Sequence, residues 1–266
     1  MLDKMIGFIG AGNMGSAMIG GILDASLVTT SQIIASAHSP ETLDKIRTKF
    51  SIETTQSNEV VAERSDILFL AVKPNKFAEV LPQIKDHLKP DCIVVSIAAG
   101  QPISNIEAIL GKIKLVRAMP NTPALVGAAM SALCPNDKVT AEEVKLIESL
   151  FNSFGRAEVV PESMMDAVVG VSGSSPAYVY MFIEAMADAA VADGMPRTQA
   201  YKFAAQSVFG AAKMVLETGK HPGELKDMVC SPAGTTIEAV RVLEEKGLRS
   251  AVIEAMKVCA DKSRKM

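Results

Sequence analysis

The chain has 266 residues, with 27 Lys plus Arg against 30 Asp plus Glu, for a formal net charge of −3. So small an acidic excess implies no polyanionic partner, and three Tyr, nine Phe and no Trp offer too few rings for a single-stranded nucleic-acid platform. At 48% hydrophobic and 21% charged residues the composition is globular with an aliphatic core, which excludes disorder as the main state and suits one large or two ordinary domains.

Residues 5–23 carry no charge and follow Lys4, the outline of a signal peptide or a membrane span. Six glycines with Asn13 and Ser16 make that stretch a poor lipid-facing helix and a good phosphate loop. Over residues 1–162 short apolar runs alternate with amphipathic stretches, as in βαβ units. Strands are expected at 5–10, 32–37, 66–72, 92–98 and 114–119, with helices at 13–25, 41–50, 75–88 and 103–110. A further strand pair, 128–134 and 156–160, flanks a helix at 140–154. From 163 to 266 Ala- and Met-rich helical periodicity takes over, with helices at 176–192, 198–217, 223–229 and 235–246 and a basic tail, 262–265, as a solvated helix end.

The fold class expected is therefore α/β: an N-terminal Rossmann-type, doubly wound, mostly parallel sheet over 1–162, then an all-helical domain over 163–266 for dimerisation and substrate. Tyr178, Met181, Phe182, Ala185, Met186 and Ala189 put apolar groups on more than one face of one helix. A second subunit is the natural cover for the extra face, the interior of a monomer the alternative. Cys92, Cys134, Cys230 and Cys259 stand far apart without a C-x-x-C pair, which gives no zinc or redox motif and implies free thiols in a reducing cytoplasm.

Gly10-Ala11-Gly12-Asn13-Met14-Gly15 follows an expected strand and opens an expected helix, the context that makes a G-x-G-x-x-G a dinucleotide fingerprint. Gly10 permits the tight turn, Gly12 the approach of a pyrophosphate, and Gly15 close packing of helix on strand. An acid at the end of the second strand would select NAD through the ribose hydroxyls. Here Ser36-Ala37-His38-Ser39-Pro40 carries none before Glu41, and Ser36 and Ser39 can donate to a 2′-phosphate, so NADPH is favoured with NADH as the weaker alternative. The ends of the third and fourth strands, Ala71-Val72-Lys73-Pro74 and Ser96-Ile97-Ala98-Ala99, should line the same groove. Arg117 to Pro123, with Met119, Asn121 and two prolines, either shapes a nicotinamide pocket or is a stiff turn.

Two hydroxyl-rich stretches, Ser172 to Tyr178 and Ser231 to Thr236, each precede a helix. They read as ordinary caps one at a time, but together they suit a small carboxylate held by backbone N–H groups and Thr hydroxyls. Between Ala157 and Pro196 there is no Lys or Arg, and between Leu88 and Lys220 no His, so a ketone reductase would lack its acid. Tyr178 and Tyr180 fall at expected core positions. A protonated imine needs only positioning and N–H acceptors, for which Thr236 and Glu162 are candidates.

With these residues assembled, the sequence resembles the pyrroline-5-carboxylate reductases, which make the last step of proline biosynthesis. The resemblance runs from Ile6–Gly15 through Leu70–Pro74 and Arg117–Pro123 to the two hydroxyl stretches, with Ser231–Thr236 the most specific match. It implies that Ser39, Asn58 and Ala71–Pro74 contact NADPH beside the glycine loop. It also implies that Glu162, Gly234, Thr235 and Thr236 surround 1-pyrroline-5-carboxylate, with Thr236 nearest the ring nitrogen, in an intertwined homodimer often assembled further, as in a decamer. The family usually has Gly where this chain has Ser175 and Ala233, which is harmless at negative φ and costs about 1 kcal/mol or more at positive φ. The rival readings are a hydroxy-acid dehydrogenase of the same layout, whose catalytic Lys is missing from 176–192, and a non-catalytic NADP(H)-binding sensor.

Overall fold

The structure is a computed structural model and describes residues 2–265. It forms two compact units, one running to Ser174 and resuming at Cys259, the other spanning Ser175–Val258. The first unit carries β1 (Ile6–Ile9), α1 (Asn13–Asp24), β2 (Ile33–Ser36), α2 (Pro40–Phe50), β3 (Glu53–Thr55) and α3 (Asn58–Arg64). It continues with β4 (Ile67–Leu70), α4 (Phe77–Ile84), β5 (Ile93–Ser96), α5 (Ile103–Leu110), β6 (Lys114–Met119), β7 (Ala129–Pro135), α6 (Ala141–Asn152), β8 (Gly155–Val159) and α7 (Met165–Val168). The strands make one eight-stranded sheet in the order β3-β2-β1-β4-β5-β6-β7-β8. Every pairing is parallel except β6 with β7. Strand order reverses between β1 and β4, so the crevice for a ligand lies beyond the carboxyl ends of those strands.

β1, β2, β4 and β5 are buried at every position, the consequence of helices covering both faces of a parallel sheet. Alternate strand side chains feed two cores: Phe8 and Phe69, packed with Phe151 of α6, on one face, Ile9, Ile34 and Leu68 on the other. Phe8 stacks on Phe69 at 4.8 Å between centroids and 7° between planes, and Phe69 meets Phe151 at 6.0 Å. The helix expected over 75–88 is shorter. Pro74–Lys76 and Lys85–His87 are 3-10 turns around α4, and Pro82 inside α4 has no N–H for the helical ladder.

The compact break falls at Ser174 rather than Glu162. Met165 is buried with Met119, Ala132 and Cys134, Asn121 Nδ2 donates to the Ser172 carbonyl at 2.9 Å, and Ser263 Oγ donates to Asp166 Oδ1 at 2.7 Å. These contacts keep 163–174, and the end of the last helix, with the sheet.

The second unit holds α8 (Ser175–Ala192), α9 (Arg197–Thr218), α10 (Pro222–Val229), α11 (Thr235–Glu245) and most of α12 (Leu248–Arg264). α8 buries Ala187 and α9 buries Ala200 and Ala204, while Met181, Phe182, Phe203 and Phe209 are exposed. Tyr180 is also exposed, against its expected core position, because none of the described residues covers it. Among the described residues no helix is long and apolar enough to cross a membrane. Phe69→Ala should cost about 4 kcal/mol by opening a cavity between two rings; a denaturant melt with an unchanged midpoint would contradict this reading of the core.

Candidate functional site

The turn from β1 into α1 is built by steric necessity. Gly10 has φ +97°, and a Cβ there would lie 2.6 Å from the Ala71 carbonyl oxygen. A Cβ on Gly15 would lie 2.5 Å from the Gly10 oxygen. Gly12 differs: its φ is −70° and a Cβ would meet nothing within 4 Å, so open space lies in front of it. Gly12 is also the N-cap of α1, with no side-chain cap and no acid in the first turn. The helix therefore turns its unclaimed N–H groups and positive dipole end towards that space, the arrangement a pyrophosphate requires.

The space is a cavity of about 460 Å³ lined by Gly10, Ala11, Gly12, Ala37, His38, Ser39, Thr42, Gln56, Asn58, Val72, Lys76, Glu79, Val80 and Gln83. Of the expected cofactor residues it collects Gly10, Ala11, Gly12, Ser39, Asn58 and Val72. Asn13, Met14 and Gly15 form the first turn of α1. Ala71, Lys73, Pro74, Ala98, Ala99, Met119 and Asn121 are not part of its wall. Ser39 caps α2 without a side-chain hydrogen bond to the helix, which leaves its hydroxyl to an anion. Asn58 opens α3 just after its Ser57 cap, accepts from Ser36 Oγ at 2.7 Å and donates to Gln83 Oε1 at 2.8 Å. Thr42, Gln56, Lys76, Glu79 and Gln83 were not singled out by sequence. Only Thr42, three residues after the Ser39 cap, carries a local signal.

Beyond β6, Asn121 is buried with its amide occupied at both ends, donating to the Ser172 carbonyl and accepting from the Met130 N–H at 3.0 Å. Its side chain ties two loops together. Glu162 Oε1 accepts from the Ile103 N–H at 2.8 Å and from Arg117 Nη1 at 2.9 Å. The guanidinium is buried and the carboxylate about one-third exposed, so Arg117 fixes Glu162 from inside the unit. Burial, reinforced by the Glu162 charge, pushes the neighbouring Cys134 thiol up.

The first hydroxyl stretch is not a loop. Val169–Gly173 is a turn of π-helix continuing α7, and Ser172 Oγ donates to the Val168 carbonyl at 3.2 Å. Ser174 Oγ lies 3.2 Å from Cys259 Sγ. The Ser172 hydroxyl bonds back one turn as mid-helix serines do. The second stretch is a loop. Gly234 caps α11 with no side-chain cap bond, its N–H donates to the Ser231 carbonyl at 3.0 Å, and a Cβ on it would strike Ser231 Oγ at 2.7 Å. Thr235 and Thr236 follow in the first turn, exposed and half-buried respectively. Their N–H groups and hydroxyls offer a carboxylate a seat without a cation. Ala233 sits at φ +56°, the left-handed region, whereas Ser175 does not.

A glycine turn against a helix N-terminus, a cavity at the switch point of a parallel sheet and a helical second unit define a dinucleotide-dependent oxidoreductase of the Rossmann type. Residues 162–266 match the family described as pyrroline-5-carboxylate reductase dimerisation, and residues 5–100 match the description NADP oxidoreductase, coenzyme F420-dependent. A pyrroline-5-carboxylate reductase of Escherichia coli K12 is 57% identical over 266 residues, covering 100% of this chain and 99% of that protein. The structure of a Coxiella burnetii pyrroline-5-carboxylate reductase superposes with a TM-score of 0.94 at 34% identity over 99% of this chain and 98% of that one. That of the Plasmodium falciparum pyrroline carboxylate reductase, with NADP bound, gives 0.89 at 33% over 100% and 98%. The chain belongs to the pyrroline-5-carboxylate reductase family.

Because Gly12 faces open space, Gly12→Val should fold normally yet bind NADPH at least roughly 100-fold more weakly, about 2.7 kcal/mol. Gly15→Ala should instead lose about 2 kcal/mol of stability, since its Cβ meets backbone. Titration of both variants with NADPH beside a denaturant melt separates the two roles, and wild-type NADPH affinity in Gly12→Val would remove the glycine turn from the site. Ala233→Gly should relieve the left-handed strain and raise Tm by roughly 2 °C; a lowered Tm would contradict it.

Proposed function

We propose that the protein reduces the cyclic imine 1-pyrroline-5-carboxylate to L-proline, using NADPH in preference to NADH. The observation that carries this is the family match over the whole chain, which includes the Ser231–Thr236 loop. The bound reduced nicotinamide supplies a hydride. The chain's own residues bind and orient. The N-terminal amides of α1 receive the pyrophosphate, and Ser39 and Asn58, which line the cavity, take the adenosine half. Ala71, Val72, Lys73, Pro74, Ala98, Ala99, Met119 and Asn121 shape the remainder of the cofactor groove, Asn121 through the loops it ties rather than through its amide.

In the helical unit Thr235 and Thr236 hold the substrate carboxylate through main-chain N–H groups and hydroxyls, in a turn that Ser231 and Gly234 close against it, the Gly234 N–H being spent on the Ser231 carbonyl. Thr236 also accepts a hydrogen bond from the protonated ring nitrogen, which makes it the catalytic residue here. Glu162, held by Arg117 and the Ile103 N–H, completes the substrate set with negative charge suited to an iminium. An imine that arrives protonated leaves as an amine once it has taken the hydride, so no side-chain acid is required, in keeping with the run without Lys, Arg or His in the sequence.

The exposed apolar faces of α8 and α9 support a homodimer through the C-terminal helices, with a decamer as the larger assembly, working in the cytoplasm. The domains for this purpose are 1–162 for the dinucleotide and 163–266 for substrate and dimerisation. Mixing protein, NADPH and the imine should consume the reduced-nicotinamide absorbance, with no turnover of 2-keto acids. Thr236→Val, which keeps shape and removes the hydroxyl, should lower kcat/KM roughly 30-fold, about 2 kcal/mol. Unchanged kinetics would remove Thr236 from the reaction.

A further inference from the structure

The β2 end of the cavity holds Ala37, His38 and Ser39 and brings no Lys, Arg, Asp or Glu of its own. Both full charges on the cavity wall come from another element, on the far side of β1. Pro74–Lys76 is a 3-10 turn whose Lys76 N–H donates to the Lys73 carbonyl at 2.9 Å, which sets Lys76 at the start of α4. One turn on, Glu79 receives its ammonium: Lys76 Nζ lies 2.8 Å from Glu79 Oε2. The two side chains line the same cavity as His38, Ser39 and Thr42. Glu79 is the one carboxylate among the described lining residues, and the Lys76 ammonium beside it holds its carboxyl below the usual carboxylate range.

The geometry points to Lys76 and Glu79 as the residues that set the preference between NADPH and NADH, with Lys76 the cation for a 2′-phosphate and Glu79 its competitor. This rests on the reductase reading of the cavity. Exposed pairs three residues apart contribute little, and Lys is a flexible point charge on a long stem, so its ammonium can turn from Glu79 to a doubly charged phosphate beside the Ser39 and Thr42 hydroxyls at small cost. Without the phosphate, Lys76 stays on Glu79. The nearby Glu79 carboxylate can also accept from a free ribose hydroxyl, which is why NADH is not shut out.

Adenosine 2′,5′-bisphosphate and adenosine 5′-monophosphate differ by this phosphate alone and carry no nicotinamide, so their binding by calorimetry tests the inference apart from catalysis. Lys76→Gln should weaken the bisphosphate about tenfold and the monophosphate less than twofold, Lys76→Arg should keep the discrimination, and Glu79→Gln should strengthen the bisphosphate severalfold. Added salt should weaken the bisphosphate more in the wild type than in Lys76→Gln. Equal effects of Lys76→Gln on both nucleotides, or none, would overturn the assignment while leaving imine reduction standing. A wild-type protein that reduces no imine, while Lys76→Gln still weakens the bisphosphate about tenfold and the monophosphate less than twofold, would refute the reductase reading and support the assignment.

Discussion

The close approach of three backbone segments is the constraint on which the rest of the molecule depends. Where β1 gives way to α1, Gly10, Gly15 and Ala71 pass so near one another that a single added Cβ would force carbonyl oxygens apart. That contact presses the start of α1 against the carboxyl ends of β1 and β4, where strand order reverses. With no side-chain cap on α1, the helix terminus keeps its donors for an anion. Steric economy at two glycines thus yields an electrostatic feature at a third, and the cavity in front of Gly12 is its result.

The two units solve the problem of burial differently. The sheet unit fills both faces, with Phe8 stacked on Phe69 and Phe151 tilted against Phe69 on one side and aliphatics on the other. In a single chain the helical unit buries little more than alanines on its two longest helices. Family membership through a dimerisation domain accounts for that incompleteness, since apolar faces left open in one chain can be covered in an assembly.

Much of this is legible in the sequence, and what is not has physical reasons. The buried parallel strands show as apolar runs, and Lys114–Met119 and Ile103–Leu110 fall where periodicity places them. β3 escapes because Glu53–Thr55 is a short edge strand with one partner and no buried residue. α3 is only seven residues long, so Asn58 at its start carries no periodic signal and enters by family resemblance alone. α12 is obscured by the charges along its exposed face, of which only the basic end is apparent. The first hydroxyl stretch misleads because serines that cap a helix and serines that bond back to a carbonyl one turn earlier are the same residues in sequence. Lys76, on the turn before α4, and Glu79, within α4, line the same cavity as His38 at the end of β2, and no linear pattern reports such a meeting.

We propose that a small acid is recognised by main-chain amides and threonine hydroxyls at the start of α11, while the buried Arg117 is engaged by Glu162. A crystal structure of the protein with NADPH and L-proline tests it most directly. The proline carboxylate should lie on the N–H groups and hydroxyls of Thr235 and Thr236, with the ring facing the nicotinamide and Arg117 still paired to Glu162. A carboxylate clamped by Arg117, or a proline seated away from the nicotinamide, would contradict it.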